Sequence, residues 1–143
     1  MPHPSSPRVG TSAGISTGAV SSTWLRCAST PTYPASRRGA SVPAAGLPWF
    51  MALFGRDSLV TSHQALPFAP ELAKTTLRVL AALQATKLDG FRDEEPGKIL
   101  HELRVGELTQ FGERPHSPYY GSADATPMFL VLLDEVERWT GDH

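Results

Sequence analysis

Two aspartates stand in matching places. Asp57, in LFGRDSLV, and Asp124, in YYGSADATPMFL, each follow a glycine and aromatic residues and each precede a run that reads as a helix. The ordinary use of such a carboxylate is to cap the helix, because the positive end of the dipole favours an anion. The shared flanking pattern also admits a second use, as two acids serving one site. Arg56 beside Asp57 could pair with it or donate to a ligand hydroxyl. A third cluster, EEPGKILHELRVGE, packs Glu94, Glu95, Lys98, His101, Glu102, Arg104 and Glu107 into one short span. It reads either as a solvated charged loop or as ligand-facing groups. As a metal motif it lacks the second histidine of a zinc helix, and no metal site is expected. Together with Trp49, Phe50, Phe54, Tyr119 and Tyr120, these groups suit a neutral polyhydroxylated ligand. Aromatic faces cover the C–H side of a sugar ring, while Arg, Asp, Glu and His read its hydroxyls.

Other chemistries fit less well. GTSAGISTG at residues 10–18 lacks the lysine of a phosphate-binding loop. YYGSAD is not the G-x-S-x-G elbow of a serine hydrolase. Cys27, the single cysteine, lies in a low-complexity stretch, which argues against a cysteine nucleophile and excludes an intrachain disulfide. The net charge of -1 and the pI near 6.5 give no nucleic-acid footprint. The longest wholly apolar run, Met128 to Leu133, is too short to span a bilayer, so no membrane partner is expected.

The elements that must position these residues begin at Gly46. Residues 58–66 read as a short helix with Ser58 or Asp57 as its cap and Pro67 as its stop. Residues 70–86 read as an amphipathic surface helix, with Pro70 and Glu71 in its first turn and Leu72, Thr76, Leu80 and Leu83 on one face. Gly90 is suited to a left-handed cap after it. A third helix is expected from Thr126, as N-cap, to Trp139, with Met128 to Leu133 buried on every side and Gly141 ending it. The connection between Gly90 and Ala125 admits short strands around KILHELRV or LTQF. Inner and outer helices in alternation point to a helical solenoid or toroid. Residues 1–45 differ in kind. All 14 acidic residues lie from Asp57 onward, and the N-terminal part is rich in Ser, Pro, Thr, Gly and Ala with scattered arginines. That composition reads as a disordered segment, with an organellar transit peptide or a mis-set reading frame as alternatives. The expected division is therefore 1–45, low complexity, and 46–143, organised.

Three stretches in order, GLPWFMALFGRDSLVTS, EPGKILHELRVGE and YYGSADATPMFLVLL, resemble the glucosidase domain of glycogen-debranching, amylo-alpha-1,6-glucosidase-like proteins. The resemblance covers Gly46 to Asp142. It implies an all-α fold, the (α/α)6 toroid, with the active site where the inner helices begin. It further implies a glycoside hydrolase acting on α-1,6-glucosidic or related α-glycosidic bonds by inversion. By motif, Asp124 matches the general acid. Arg56 and Asp57 match residues that bind sugar hydroxyls in the innermost subsite. Trp49, Phe50, Lys98, His101, Glu102, Arg104, Tyr119 and Tyr120 would line the site. The implied partner is an α-glucan or oligosaccharide, with no cofactor, and the family makes the cytoplasm the expected compartment.

Such a reaction takes two carboxyl groups, one held protonated and one, ~6.5–9.5 Å away, activating water. An apolar wall at Met128 and Phe129 would raise the pKa of Asp124, while the helix dipole would oppose the rise. In the family the base lies late in the chain, and nothing here matches it. Twelve helices of about 12 residues need roughly 144 residues before any loops. The expectation is therefore a fragment of the toroid, with apolar surface on the third helix left uncovered. A non-catalytic carbohydrate-binding or helical interaction module, or an inactive truncated product, are the alternatives.

Overall fold

The computed structural model describes residues 41–46, 49–104, 111 and 115–142. Residues 1–40 and most of LTQF lie outside the described residues. The element order is β1 (Leu53–Phe54), α1 (Gly55–Ala65), α2 (Pro70–Ala82), β2 (Glu102–Leu103) and α3 (Ala125–Thr140). The described chain is thus mostly helical, with one antiparallel pair, Leu53 with Leu103 and Phe54 with Glu102, whose second strand falls in the KILHELRV stretch where the sequence admits one.

Helix α1 starts three residues before the expected Ser58, because it grows directly out of β1. Phe54 is still extended (φ -112°, ψ 128°) and serves as the N-cap position without a side-chain bond. The Gly55 amide, left free by the helix start, donates to the His101 carbonyl at 2.9 Å. Helix α2 begins at Pro70 as expected but ends at Ala82, four residues early. Past that point the chain bonds to a different partner: Ala85 N–H donates to Lys98 O, and Gly97 N–H donates to Ala85 O, both at 2.9 Å. Among the described residues the left-handed glycines are Gly97 and Gly141, so Gly90 is not the cap expected of it. Gly141 does end α3 in the left-handed region, with its amide on Glu137 O at 2.8 Å.

The three helices pack on one another pairwise. Leu59, Leu66, Ala73, Leu77 and Leu80 meet Leu132 and Val136 of α3, and Ile99, Leu100, Leu103 and Tyr120 extend this core under the long connection. Two buried hydroxyls, Ser62 on α1 and Thr76 on α2, satisfy each other at 2.8 Å. Ser58 donates to Pro43 O at 2.7 Å, which ties residues 41–46 to α1.

Helix α3 differs most from its expectation. Only Ala125, Leu132 and Val136 are buried along it, while Leu130, Val131, Leu133 and Trp139 are exposed. An apolar run reads the same whether one face or all faces are covered, and here α1 and α2 cover one.

Candidate functional site

The starts of α1 and α3 lie together. At Gly55 a Cβ would stand 3.4 Å from the Ala125 Cβ and only 2.0 Å from the Leu100 carbonyl oxygen. A glycine is therefore required for the helix starts and the segment before β2 to meet, which places the FGRD and GSAD stretches side by side.

Arg56 joins them. Its Nη1 donates to Asp124 Oδ2 at 3.2 Å, and its Nη2 lies 3.9 Å from Asp57 Oδ2. The other oxygen of Asp124, Oδ1, accepts a hydrogen bond from the Ser122 hydroxyl. Asp124 occupies the N-cap position of α3 yet makes no side-chain cap bond, and Asp57 sits within the first turn of α1 rather than at its cap. Thr126, expected as the cap, instead accepts the Ile99 amide at 3.0 Å and anchors the connection to α3. Neither aspartate is thus spent on capping.

The charge state of Asp124 runs against one expectation. Its carboxyl is held below the ordinary carboxylate range, first by the Ser122 hydrogen bond and then by the hydrogen bond and charge of Arg56. Burial acts upward, as the apolar wall should, but is outweighed.

Phe54, the residue before α1, belongs to a row of rings. Phe50 meets Phe54 edge to face at 6.1 Å, Phe54 meets His101 at 5.9 Å, His101 meets Tyr119 at 6.0 Å, and Tyr119 meets His116 at 5.4 Å. The Arg104 guanidinium lies over Phe54, 5.8 Å from the ring centre. Beneath it the buried Glu102 carboxylate pairs with Arg104 Nε and lies 3.5 Å from His116 Nδ1. The rings follow from the sheet: β1 carries Phe54 opposite Glu102, and Glu102 also bridges to Tyr119. Phe50, at one end of this row, is 50% exposed, and the preceding Trp49 is 83% exposed.

Two expected site residues are placed elsewhere. Tyr120 is a core residue, 4% exposed, and donates to the Leu83 carbonyl that α2 leaves unpaired at its end. Lys98 is turned into its own loop, donating to Asp93 O and Glu95 Oε1, both at 3.1 Å. Three residues join the site that the motifs did not single out. Ser122 and His116 are two. The third is Asp93, which accepts the Tyr119 hydroxyl at 2.7 Å, the main reason the Tyr119 pKa is raised. Ser122 was legible as a hydroxyl two residues before an acid, a spacing at which local side-chain bonds form. Asp93 and His116 come from distant loops and leave no such mark.

Among the described residues no group of three or more His, Cys, Asp or Glu is placed to hold a metal ion, and no helix is long and apolar enough to cross a membrane. In comparisons with known proteins, no family model matches the chain and no curated protein matches it.

Proposed function

We propose that the mouth formed by Arg56, Asp57 and Asp124 binds an α-glycoside, as in the debranching-type glucosidases that the three motifs resemble. One observation supports this above the rest. Arg56 reaches two carboxylates from helix starts far apart in sequence, and Phe54, two residues before it, belongs to a row of rings that ends at the exposed Phe50. Charged hydrogen-bonding groups next to aromatic faces are the chemistry that a sugar ring needs. In this reading Arg56 and Asp57 hold hydroxyls, and Asp124 gives its proton to the glycosidic oxygen. His101, Arg104 and Tyr119 form the wall. Helices α1 and α3 are inner helices of an (α/α)6 toroid and α2 an outer one. The exposed apolar residues of α3 are surface that further helices of such a ring would cover.

A second reading, a sugar-binding site without turnover, has its own observation. Asp124 is held as an anion, and no motif residue takes the role of base. Calorimetry of the chain with isomaltose, alongside a glucose-release assay on limit dextrin, separates the two. Glucose release that is lost in Asp124→Asn supports hydrolysis. Saturable binding without release supports the binding module. Neither binding nor release would sink both readings.

A further inference from the structure

The sugar reading leaves a conflict in place: both oxygens of Asp124 accept hydrogen bonds, and donors of this kind favour the carboxylate over the protonated acid. Ser122 occupies Oδ1 and Arg56 occupies Oδ2. The two donors differ in how firmly they are held. Ser122 is two residues away in the same turn, and its hydroxyl also lies 3.4 Å from the Ala125 amide at the start of α3. Arg56 comes from another helix on a long side chain that is 51% exposed, and it has a second carboxylate, Asp57, at 3.9 Å. Of the two, Arg56 is the one that can leave without disturbing the fold.

We propose that Arg56 is an exchangeable clamp on Asp124: in the empty site it holds Oδ2, and a ligand hydroxyl takes over its guanidinium, freeing Oδ2 to bind a proton from solvent. Ser122 is a positioning residue that stays on Oδ1 throughout. The exchange is balanced. The Arg56 N–H changes acceptor from carboxylate to hydroxyl oxygen, Asp57 keeps the guanidinium near the mouth, and one solvent proton moves onto Asp124. Among the described residues the charged group that acts on Asp124 is Arg56, which also lies 3.9 Å from Asp57 on the same helix. From its own loop the uncharged Ser122 faces it. Binding of a neutral sugar is thereby coupled to proton uptake. This inference rests on the sugar reading for its ligand, but its apo half does not.

The test is the titration of the Asp124 side-chain carboxyl carbon, followed by nuclear magnetic resonance on the aspartate-labelled full chain. Three samples are compared: wild type, wild type saturated with isomaltose, and Arg56→Gln. Wild type should titrate below the usual ~3.9 of an aspartate, and both isomaltose and Arg56→Gln should move the midpoint up. Arg56→Lys, which keeps the charge but not the fork, should fall between, and it serves if Arg56→Gln does not fold. Ser122→Ala should also raise the midpoint, without abolishing the isomaltose response. A midpoint unmoved by Arg56→Gln overturns the clamp. Isomaltose that binds, seen as saturable shifts of amides near the mouth, but leaves the midpoint in place overturns the exchange while the sugar reading stands. Absence of any isomaltose shift removes the sugar reading, and the exchange with it.

Discussion

Replacing Gly55 by alanine should destabilise the protein, although such a change within a helix ordinarily stabilises by up to ~1 kcal/mol. The added Cβ would lie 2.0 Å from the Leu100 carbonyl oxygen and 3.2 Å from its carbon. Comfortable contacts between non-bonded heavy atoms lie near 3.5–4.0 Å, so something must move by more than about an ångström. Neither side can yield easily. On the far side Leu100 is fully buried, its neighbour Ile99 is bonded to Thr126 at 3.0 Å, and His101 is bonded to Tyr119 O at 2.8 Å. On the near side the Gly55 amide is committed to His101 O. Overpacking costs typically ~1–3 kcal/mol, and a clash of backbone with an inserted Cβ belongs at or beyond the top of that range. Set against the propensity gain, the net loss is about 2–3 kcal/mol. For a domain of about 100 residues this lowers the melting temperature by ~10–20 °C. Thermal unfolding followed by far-ultraviolet circular dichroism reads it. Gly90→Ala is the control, since nothing lies within 4 Å of a Cβ there and its melting temperature should barely move. If Gly55→Ala melts within ~2 °C of wild type, the close approach of α1 to Leu100 is wrong, and with it the pairing of the two helix starts.

Tyr120 should remain un-ionised far into alkali, because burial, followed by the charge of Glu94, raises its pKa to about 12 against an opposing effect of Arg92. A raised folded value means its contribution is intact below ~10 and is lost as pH rises through 12, about 2–3 kcal/mol in all; tyrosinate absorbance and alkaline melts read this, and Tyr120→Phe should flatten the loss. The depressed Asp124 carboxyl contributes stability that is present above the ordinary carboxylate range and lost as pH falls through its folded value, so Asp124→Asn should show a shallower acid limb in urea melts. Ser62→Ala strands the Thr76 hydroxyl in the core and should cost ~1–3 kcal/mol by urea denaturation. Leu130→Gln with Val131→Thr should leave the melting temperature nearly unchanged, since both side chains are more than half exposed, and should raise the solubility limit, read as the protein left in the supernatant after concentration.

Helix existence was legible in the chain, while the details of the ends were set by tertiary contacts. Pro70 marked the start of α2 because a proline at the first position needs no intrahelical donor bond. The end of α2 could not be read from Gln84 to Thr86, residues that suit a helix, because the bonds of Ala85 with Gly97 and Lys98 decide it. Thr126 and Pro127 looked like a helix start, and the helix does start there within a residue, but the threonine hydroxyl went to Ile99. That the two helix starts carrying Asp57 and Asp124 lie together was foreseeable from their matching positions before helices. Tyr120 was misplaced because adjacent residues in an extended stretch point opposite ways: Tyr119 joins the row of rings and Tyr120 enters the core. The buried Glu102, held by Arg104 and His116, was named as a candidate by its company, yet its burial depends on β1 pairing with β2.

The energetics of the mouth decide whether an anionic Asp124 argues against an acid role. The Arg56–Asp124 pair is half exposed on one side and 44% exposed on the other. Exposed ion pairs of that kind are worth only ~0–1 kcal/mol, because water screens them and two side chains must be held in place. A sugar bound even at millimolar affinity supplies about 4 kcal/mol. Breaking the clamp would therefore weaken the observed affinity by at most a few fold, well within what millimolar binding allows. Closing the mouth with a ligand also removes water from Asp124, and desolvation favours its neutral form. The two effects act together: loss of Arg56 and loss of water both move the carboxyl toward protonation. Ser122 opposes them, but it is a single neutral donor, and a protonated carboxyl can still accept its hydrogen bond on the unprotonated oxygen. The low pKa of Asp124 in this structure is consequently no argument against the proposed acid role, which turns on what a bound sugar would do to Arg56.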